Sequence, residues 1–244
     1  MTHPAFLSCY RLLLVLGALG LFNGCQAYVT PGAQADLSTF TDPRVKKAFV
    51  AKPAIHFPAN LAIVRVQAGG YQSESAQGFG EGAYSVVTSH DVEQPGDADQ
   101  LTKLPGVAGV VTLNRLLLPR SLTTDLDLRE AAAKLQTDAV IVYTIATEFR
   151  GNSIIPPLTT LSLGLFPNKQ YKINATASAI VMDTRTGYIY GALEETELRS
   201  GLTIAWGSND AIDSARKQAE RAAFVKLLAS YGPFWERIRA RYGR

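Results

Sequence analysis

Apolar residues fall along this chain in blocks of different period. The first block is continuous, eleven residues from Leu12 to Phe22. It is too short to span a bilayer as a helix, which takes about 20 apolar residues. From residue 26 to about 58 no period persists. Pro31, Pro43, Pro53 and Pro58 interrupt the stretch, which reads as a tether. Within it, Asp42 to Ala51 has the makings of one short helix, with Pro43 in its first turn. Leu61 to Val66 is a compact run rich in β-branched residues, a predicted strand closed by Gly69-Gly70, and Tyr84 to Thr88 predicts a second. Between them lies Gly78-Phe79-Gly80-Glu81-Gly82, which lacks the lysine and the following helix of a phosphate-binding loop. Val107 to Leu118 is a further apolar run, closed by Pro119.

The second half is more regular. Thr124 with Asp127 makes a capping-box pattern. Leu128, Ala131, Ala132 and Leu135 follow at helical spacing, predicting a helix that ends near Asp138 and feeds a buried strand, Ala139 to Tyr143. Ile173, Ala175, Ala177, Ala179 and Val181 then alternate with polar residues, the period-two signature of a strand with one wet face. Asp183-Thr184-Arg185-Thr186-Gly187 is turn chemistry, and Tyr188 to Leu193 returns as the second arm of a hairpin. A long helix is predicted from a cap at Ser208 or Asn209. Its apolar stripe is Ile212, Ala215, Ala219, Ala223 and Leu227, Asp213 lies in its first turn, and Arg216, Lys217, Glu220 and Arg221 are expected to face water. Tyr231-Gly232-Pro233 is expected to break it, leaving Phe234 to Arg244 as a short coda packed through Trp235 and Ile238. A helix feeding an apolar strand this closely implies an α/β (α+β) fold, a mixed sheet with flanking helices in a two- or three-layer sandwich.

The leader ends in Phe22-Asn23-Gly24-Cys25. This tetrapeptide resembles the lipobox of bacterial lipoproteins, with Phe22 and Asn23 in place of the usual aliphatic and small residues. The resemblance implies a signal peptide over residues 1–24, lipidation of Cys25 (palmitate among its acyl chains), a tether over 25–58 and one globular domain over 59–244. Two or more acyl chains hold a protein stably on a membrane. The alternatives are a secretory leader cleaved near Ala27 or an uncleaved anchor. Gln26, where inner-membrane lipoproteins commonly carry aspartate, points to the outer membrane, facing the periplasm. Cys9 would leave with the leader, so no internal disulfide is available to the mature chain and burial alone must fold it.

Five segments of the domain carry a further resemblance: Leu113 to Pro119, Leu128 to Ala132, Asp138 to Thr144, Leu163 to Pro167 and Met182 to Gly187. They resemble a family of uncharacterised bacterial lipoproteins. The order helix, Ala-Asp, apolar strand, then strand, Asp-x-x-Thr-Gly, strand is also similar to the periplasmic domain of the curli secretion channel, to lipoprotein activators of peptidoglycan synthases, and to the N-terminal domain of the Tol-Pal propeller protein. The resemblance implies a fold and no catalytic residue.

Charge and chemistry add little. Twenty-four Lys and Arg against 21 Asp and Glu give a net +3, so no nucleic-acid footprint is indicated. Arg237, Arg239, Arg241 and Arg244 close the chain, read either as a solvated helix end or as a contact for lipid phosphates. His56, His90 with Asp91 and Glu93, and the Glu194-Glu195-Glu197 group lack metal-ligand spacing or a visible catalytic partner, so no metal, cofactor or catalytic residue is expected. One segment is unusual. Ile154 to Phe166 holds no charge, and Leu158, Leu161, Leu163, Leu165 and Phe166 require cover, from the domain, a partner or lipid. The expectation is a membrane-tethered, non-catalytic binding or scaffold module that meets another envelope protein. A subunit of an export or assembly complex and an envelope hydrolase are the alternatives.

Overall fold

The computed structural model describes residues 50–89, 91–153, 167–204 and 209–243. The elements run Ala59–Ala68 (β1), Gly78–Phe79 (β2), Glu81–Gly82 (β3), Tyr84–Val87 (β4), Asp97–Thr102 (α1), Val107–Thr112 (β5), Ser121–Leu122 (β6), Asp125–Lys134 (α2), Ala139–Ser153 (β7), Pro167–Asp183 (β8), Ile189–Ile204 (β9) and Asn209–Tyr242 (α3). The fold is mixed α/β, as the patterning implies. One seven-stranded sheet has the order β2-β4-β1-β7-β8-β9, with β5 also beside β1, and β3 pairs with β6 apart from it. β1 is central. It pairs in parallel with β7 on one edge, and on the other with β5 through its first half and β4 through its second. Its side chains from Leu61 to Gln67 are all buried, which is why it reads as a continuous apolar run rather than an alternating one.

The sheet has three layers at one end and two at the other. Odd positions of β7 and β8, from Ile141 to Ile145 and from Ile173 to Val181, pack under α3 with Phe224, Leu227 and Trp235. Even positions Val140, Val142, Ile180 and Met182 pack under α2 with Leu128, Ala131 and Ala132. α2 is short and covers only this end. Farther along, Lys172, Glu194, Thr196 and Leu198 of the same face are exposed. That switch explains why the sequence shows β7 for only five residues. Beyond Tyr143 the strand turns polar on its uncovered face while its backbone stays paired with β8 as far as Ser153–Lys169.

Two expectations for α3 need correction. It does not break at Tyr231-Gly232-Pro233 but runs to Tyr242 with Pro233 inside. A helical proline costs about 3 kcal/mol. Burying Phe234, Trp235 and Ile238 on the core returns roughly 1.5–3 kcal/mol each, so packing wins. Nor do Arg216 and Glu220 face water, being 1% and 3% exposed. α2 ends at Lys134, short of Asp138, because Gln136 turns left-handed (φ 57°).

The conspicuous aspartates of the sequence turn out to be staples. Asp183, fully buried, accepts hydrogen bonds from the backbone N–H of Arg185 and Thr186 on one oxygen, both at 2.9 Å. Its other oxygen accepts from Ala54 N–H at 2.8 Å and Tyr190 O–H at 2.6 Å. Asp138 accepts from Asn60 N–H and from the Arg185 guanidinium. Gly187 closes the turn with φ 72°, a conformation glycine adopts without strain. The chain therefore docks on the sheet by Ala54, and Ile55 is already buried.

Asp183→Ala leaves four donors without their acceptor and is expected to cost about 3 kcal/mol or more, since a buried donor left unpaired loses roughly 1–3 kcal/mol. Arg185→Ala removes a guanidinium that is 55% exposed and should cost under about 1 kcal/mol. Urea melts of the two variants separate these values. Equal small losses would remove Asp183 as a staple.

Candidate functional site

Behind the centre of the sheet lies a buried ionic network. Leu61, Ile63 and Arg65 share one face of β1, so Arg65 points at α3. Its guanidinium donates to Asp91 at 2.8 Å and to Glu93 at 3.3 Å, and lies 3.9 Å from Glu220. From α3, Arg216 meets Glu220 at 2.7 Å and Asp213 at 2.8 Å, and approaches Asp91 at 3.6 Å. Tyr143 O–H donates to Glu93 and Thr147 O–H to Glu220, so β7 is tied in as well. Lys217 adds a third cation at Asp213, and Arg221 pairs with Asp97 of α1. Burial alone would weaken the charge on both arginines, but the surrounding carboxylates outweigh it and hold both firmly protonated. Burial also pushes the Tyr143 hydroxyl up, assisted by Glu93, and keeps it a donor. The network ties α3 to β1 and β7 through directional bonds.

In front of the network the sheet ends in a cleft of about 760 Å³ beside β2. Gln72, Ser75, Gln77, Phe79, Arg115 and Arg120 are prominent in its wall. The network holds that wall. Ser75 O–H donates to Asp91 at 3.2 Å, and Arg65 reaches the Tyr71 hydroxyl at 3.4 Å. The loop is also closed by the Gln72–Gln77 bridge and by hydrogen bonds from Ala76 and Gly78 back to Ser73 and Tyr71. β2 pairs with β4 on one edge, and on the other Gly78 N–H donates to the carbonyl of Tyr71. The glycine-rich stretch thus forms strand backbone rather than a phosphate loop. At Gly80 (φ 98°) a side chain would collide with Leu122, so only glycine lets β3 sit against β6.

The residues singled out from sequence do not converge. His56 is exposed on the segment that precedes β1, and His90 lies outside the described residues. Asp91 and Glu93 are absorbed in the network. Glu194, Glu195 and Glu197 bond to Ser178, Ser230 and Lys226 respectively, three separate partners. Leu158, Leu161, Leu163, Leu165 and Phe166, like Cys25, lie outside the described residues. Among the described residues no cluster of His, Cys, Asp or Glu could hold a metal ion. Arg65 was the missed residue, and its signal was parity: a lone charge on the inward face of an apolar strand needs buried partners.

No family model matches this chain, and no curated protein matches it in sequence. Several solved structures are similar. A PelC dodecamer from Paraburkholderia phytofirmans is 12% identical over 73% of this chain and 92% of that one, with a TM-score of 0.33. Protein XCC0632 of Xanthomonas campestris, from DUF330, is 10% identical over 85% of this chain and 95% of that one, also at 0.33. Lipoprotein GNA1162 of Neisseria meningitidis is 14% identical over 71% of this chain and 99% of that one, at 0.29. A lipoprotein thus stands among the similar structures.

The network predicts acid sensitivity. Burial would raise the Asp97 and Asp213 carboxyls, but hydrogen bonds from Arg221 to the first, and from Lys217 and Arg216 to the second, hold both below the usual carboxylate range. The folded state then binds fewer protons than the unfolded chain below about pH 4, the ordinary aspartate value. Their stabilisation is present above that pH and is lost as pH falls towards their folded values. Melting temperature should drop steeply between pH 4.5 and 3, and less steeply in Arg221→Ala, where Asp97 is released. Identical slopes in the two proteins would contradict this assignment.

Proposed function

We propose that the chain is a membrane-tethered, non-catalytic module of the cell envelope that binds an extended polar ligand in the cleft beside β2. The observation that carries this reading is the cleft beside β2, lined by uncharged polar side chains and two arginines. Gln72, Ser75, Gln77, Arg115 and Arg120 line it, and Ser75 is tied to the buried Arg65–Asp91 pair through Asp91. A cleft of this kind takes an extended segment, and the few polar groups that line it select the ligand. Here the selecting groups are amides, hydroxyls and the guanidiniums of Arg115 and Arg120, which suit a polypeptide segment of another envelope protein with carboxylates along it. The anchor is Cys25, lipidated after removal of residues 1–24, with Gln26 favouring the outer membrane and the domain in the periplasm. No described helix is long and apolar enough to cross a membrane.

A photoreactive residue at Gln77 should cross-link a discrete envelope protein in cells. Arg115→Glu with Arg120→Glu should reduce that product at least tenfold, while His56→Ala and Glu195→Gln leave it and the cellular role unchanged. Loss of the role in a folded His56 or Glu195 variant would restore the hydrolase reading. Cys25→Ala should abolish palmitate labelling, and equal labelling would end the lipoprotein reading.

A second reading, a subunit of an assembly, has one observation in its favour. Among the described residues the 16-residue strand β9 pairs only with β8, and Leu198 on it is 67% exposed. Light scattering of the purified mature chain distinguishes a monomer from such an assembly.

A further inference from the structure

The point where the tether joins the domain coincides with a concentration of unpaired positive charge drawn from separate parts of the chain. Ala54 N–H is bonded to Asp183 and lies 3.2 Å from Tyr190 Oη. Phe57 packs on Trp235 of α3 with ring centroids 5.5 Å apart. Trp235 in turn donates to the carbonyl of Pro105 at 3.1 Å, and the stem of Arg239 lies across Gly106 beside Phe57. Tyr242, at the end of α3, shares a hydrogen bond with Tyr188 and packs edge-on against Tyr190. The N-terminal approach and the last three turns of α3 therefore form one pole of the domain.

Lys52, Lys103, Arg237, Arg239 and Arg241 are all exposed there. Among the described residues none of them forms an ion pair, whereas Arg65, Arg129, Arg185, Arg199, Arg216 and Arg221 each do. Glu236 is the one acid between Phe234 and Gly243. The guanidinium of Arg237 lies over the Phe234 ring at 5.7 Å and that of Arg241 over the Tyr242 ring at 5.4 Å, both cation–π contacts. Both residues remain exposed, so their N–H groups stay open to a further partner. Basic residues at a helix C-terminus complement its dipole, and that accounts for Arg239 and Arg241. It does not account for Lys52 or Lys103, which come from other segments, each two residues before a residue bonded at this pole, Ala54 and Pro105.

We infer that this pole is a docking surface for an anionic bilayer, held against phosphate headgroups by Arg237, Arg239, Arg241 and Lys52. The inference rests on the membrane-tethered reading above. The chain outside the domain leads from this pole to the lipid anchor. Cys25 lies 29 residues before Ala54, and the tether reaches the domain at this pole. Whatever the tether's path, its lipid end pulls on the arginine-bearing side. A basic patch next to a membrane anchor gains from the negative surface potential of anionic lipids, and the gain fades within a Debye length. Lipid chain and basic patch then act as two signals on one membrane, the combination that makes attachment stable.

The test uses the mature chain, residues 25–244, with Cys25→Ser so that no acyl chain contributes. Co-sedimentation is measured with vesicles of phosphatidylcholine alone and of phosphatidylcholine with one-quarter phosphatidylglycerol. Binding is expected to the second at 50 mM salt, weakening tenfold or more by 300 mM. The triple variant Arg237→Glu, Arg239→Glu, Arg241→Glu should lose it, with circular dichroism and melting confirming that the exposed changes leave the fold intact. Lys134→Glu with Lys172→Glu, charge reversals away from this pole, should bind like the parent. Equal binding to both vesicles, no binding to either, or an unaffected triple variant overturns the inference; the last two outcomes reassign the arginines to a protein contact. Palmitate labelling of the parent chain judges the anchor separately, so the surface can fail while the anchor stands.

Discussion

Placing Arg65 on the inward face of β1 imposes a constraint that much of the surrounding structure answers. A guanidinium taken out of water must be paired several times over, or it destabilises the domain by several kcal/mol. Asp91 and Glu93 are drawn to it from the loop after β4, Glu220 from α3 and, through Glu220, Arg216 and Thr147. The result joins the central strand, the longest helix and β7 through directional bonds, where apolar packing alone would permit sliding. It also reaches the Tyr71 hydroxyl and, through Asp91, Ser75 in the wall of the cleft.

The strength of that arrangement explains its absence from an amphipathic reading of α3. Asp213, Arg216, Lys217, Glu220 and Arg221 look like a solvated face because their helical angle lies away from the alanine stripe. The helix is instead buried on more than one side near its start, by alanines against β8 and by ions against β1. Periodicity sees only transfer free energy and cannot register a buried face built from compensated charges. The same blindness hid β7 beyond Tyr143, where Thr144 meets Gln67 and the backbone ladder, not side-chain burial, extends the strand.

Local chemistry was more legible. The Thr124–Asp127 capping box is present, as are the Asp183–Gly187 turn and the β8–β9 hairpin, because each depends on residues close in sequence. Pro233 was misread for the opposite reason: the local rule was outweighed by three distant contacts, of which Trp235 with Phe57 spans nearly the whole domain. The cleft had no signature at all. Its wall is made of ordinary glycine, serine and glutamine, and only the end of the sheet order beside them makes them a site.

The unequal lengths of the strands have a mechanical consequence. β1 spans ten residues but β7 spans 15 and β8 spans 17, in unbroken register with each other from Ala139–Asp183 to Ser153–Lys169. At about 3.3 Å per residue the pair makes an arm of roughly 45 Å. One end is riveted beside Ala54 by Asp138 and Asp183; the other carries the uncharged run from Ile154 to Phe166 between its two strand termini. Separation between the tether junction and the start of that run is thus set by a count of paired residues, as on a ruler. Adding or deleting a matched pair of residues in β7 and β8 shifts the reach by a fixed step without disturbing the three-layered end.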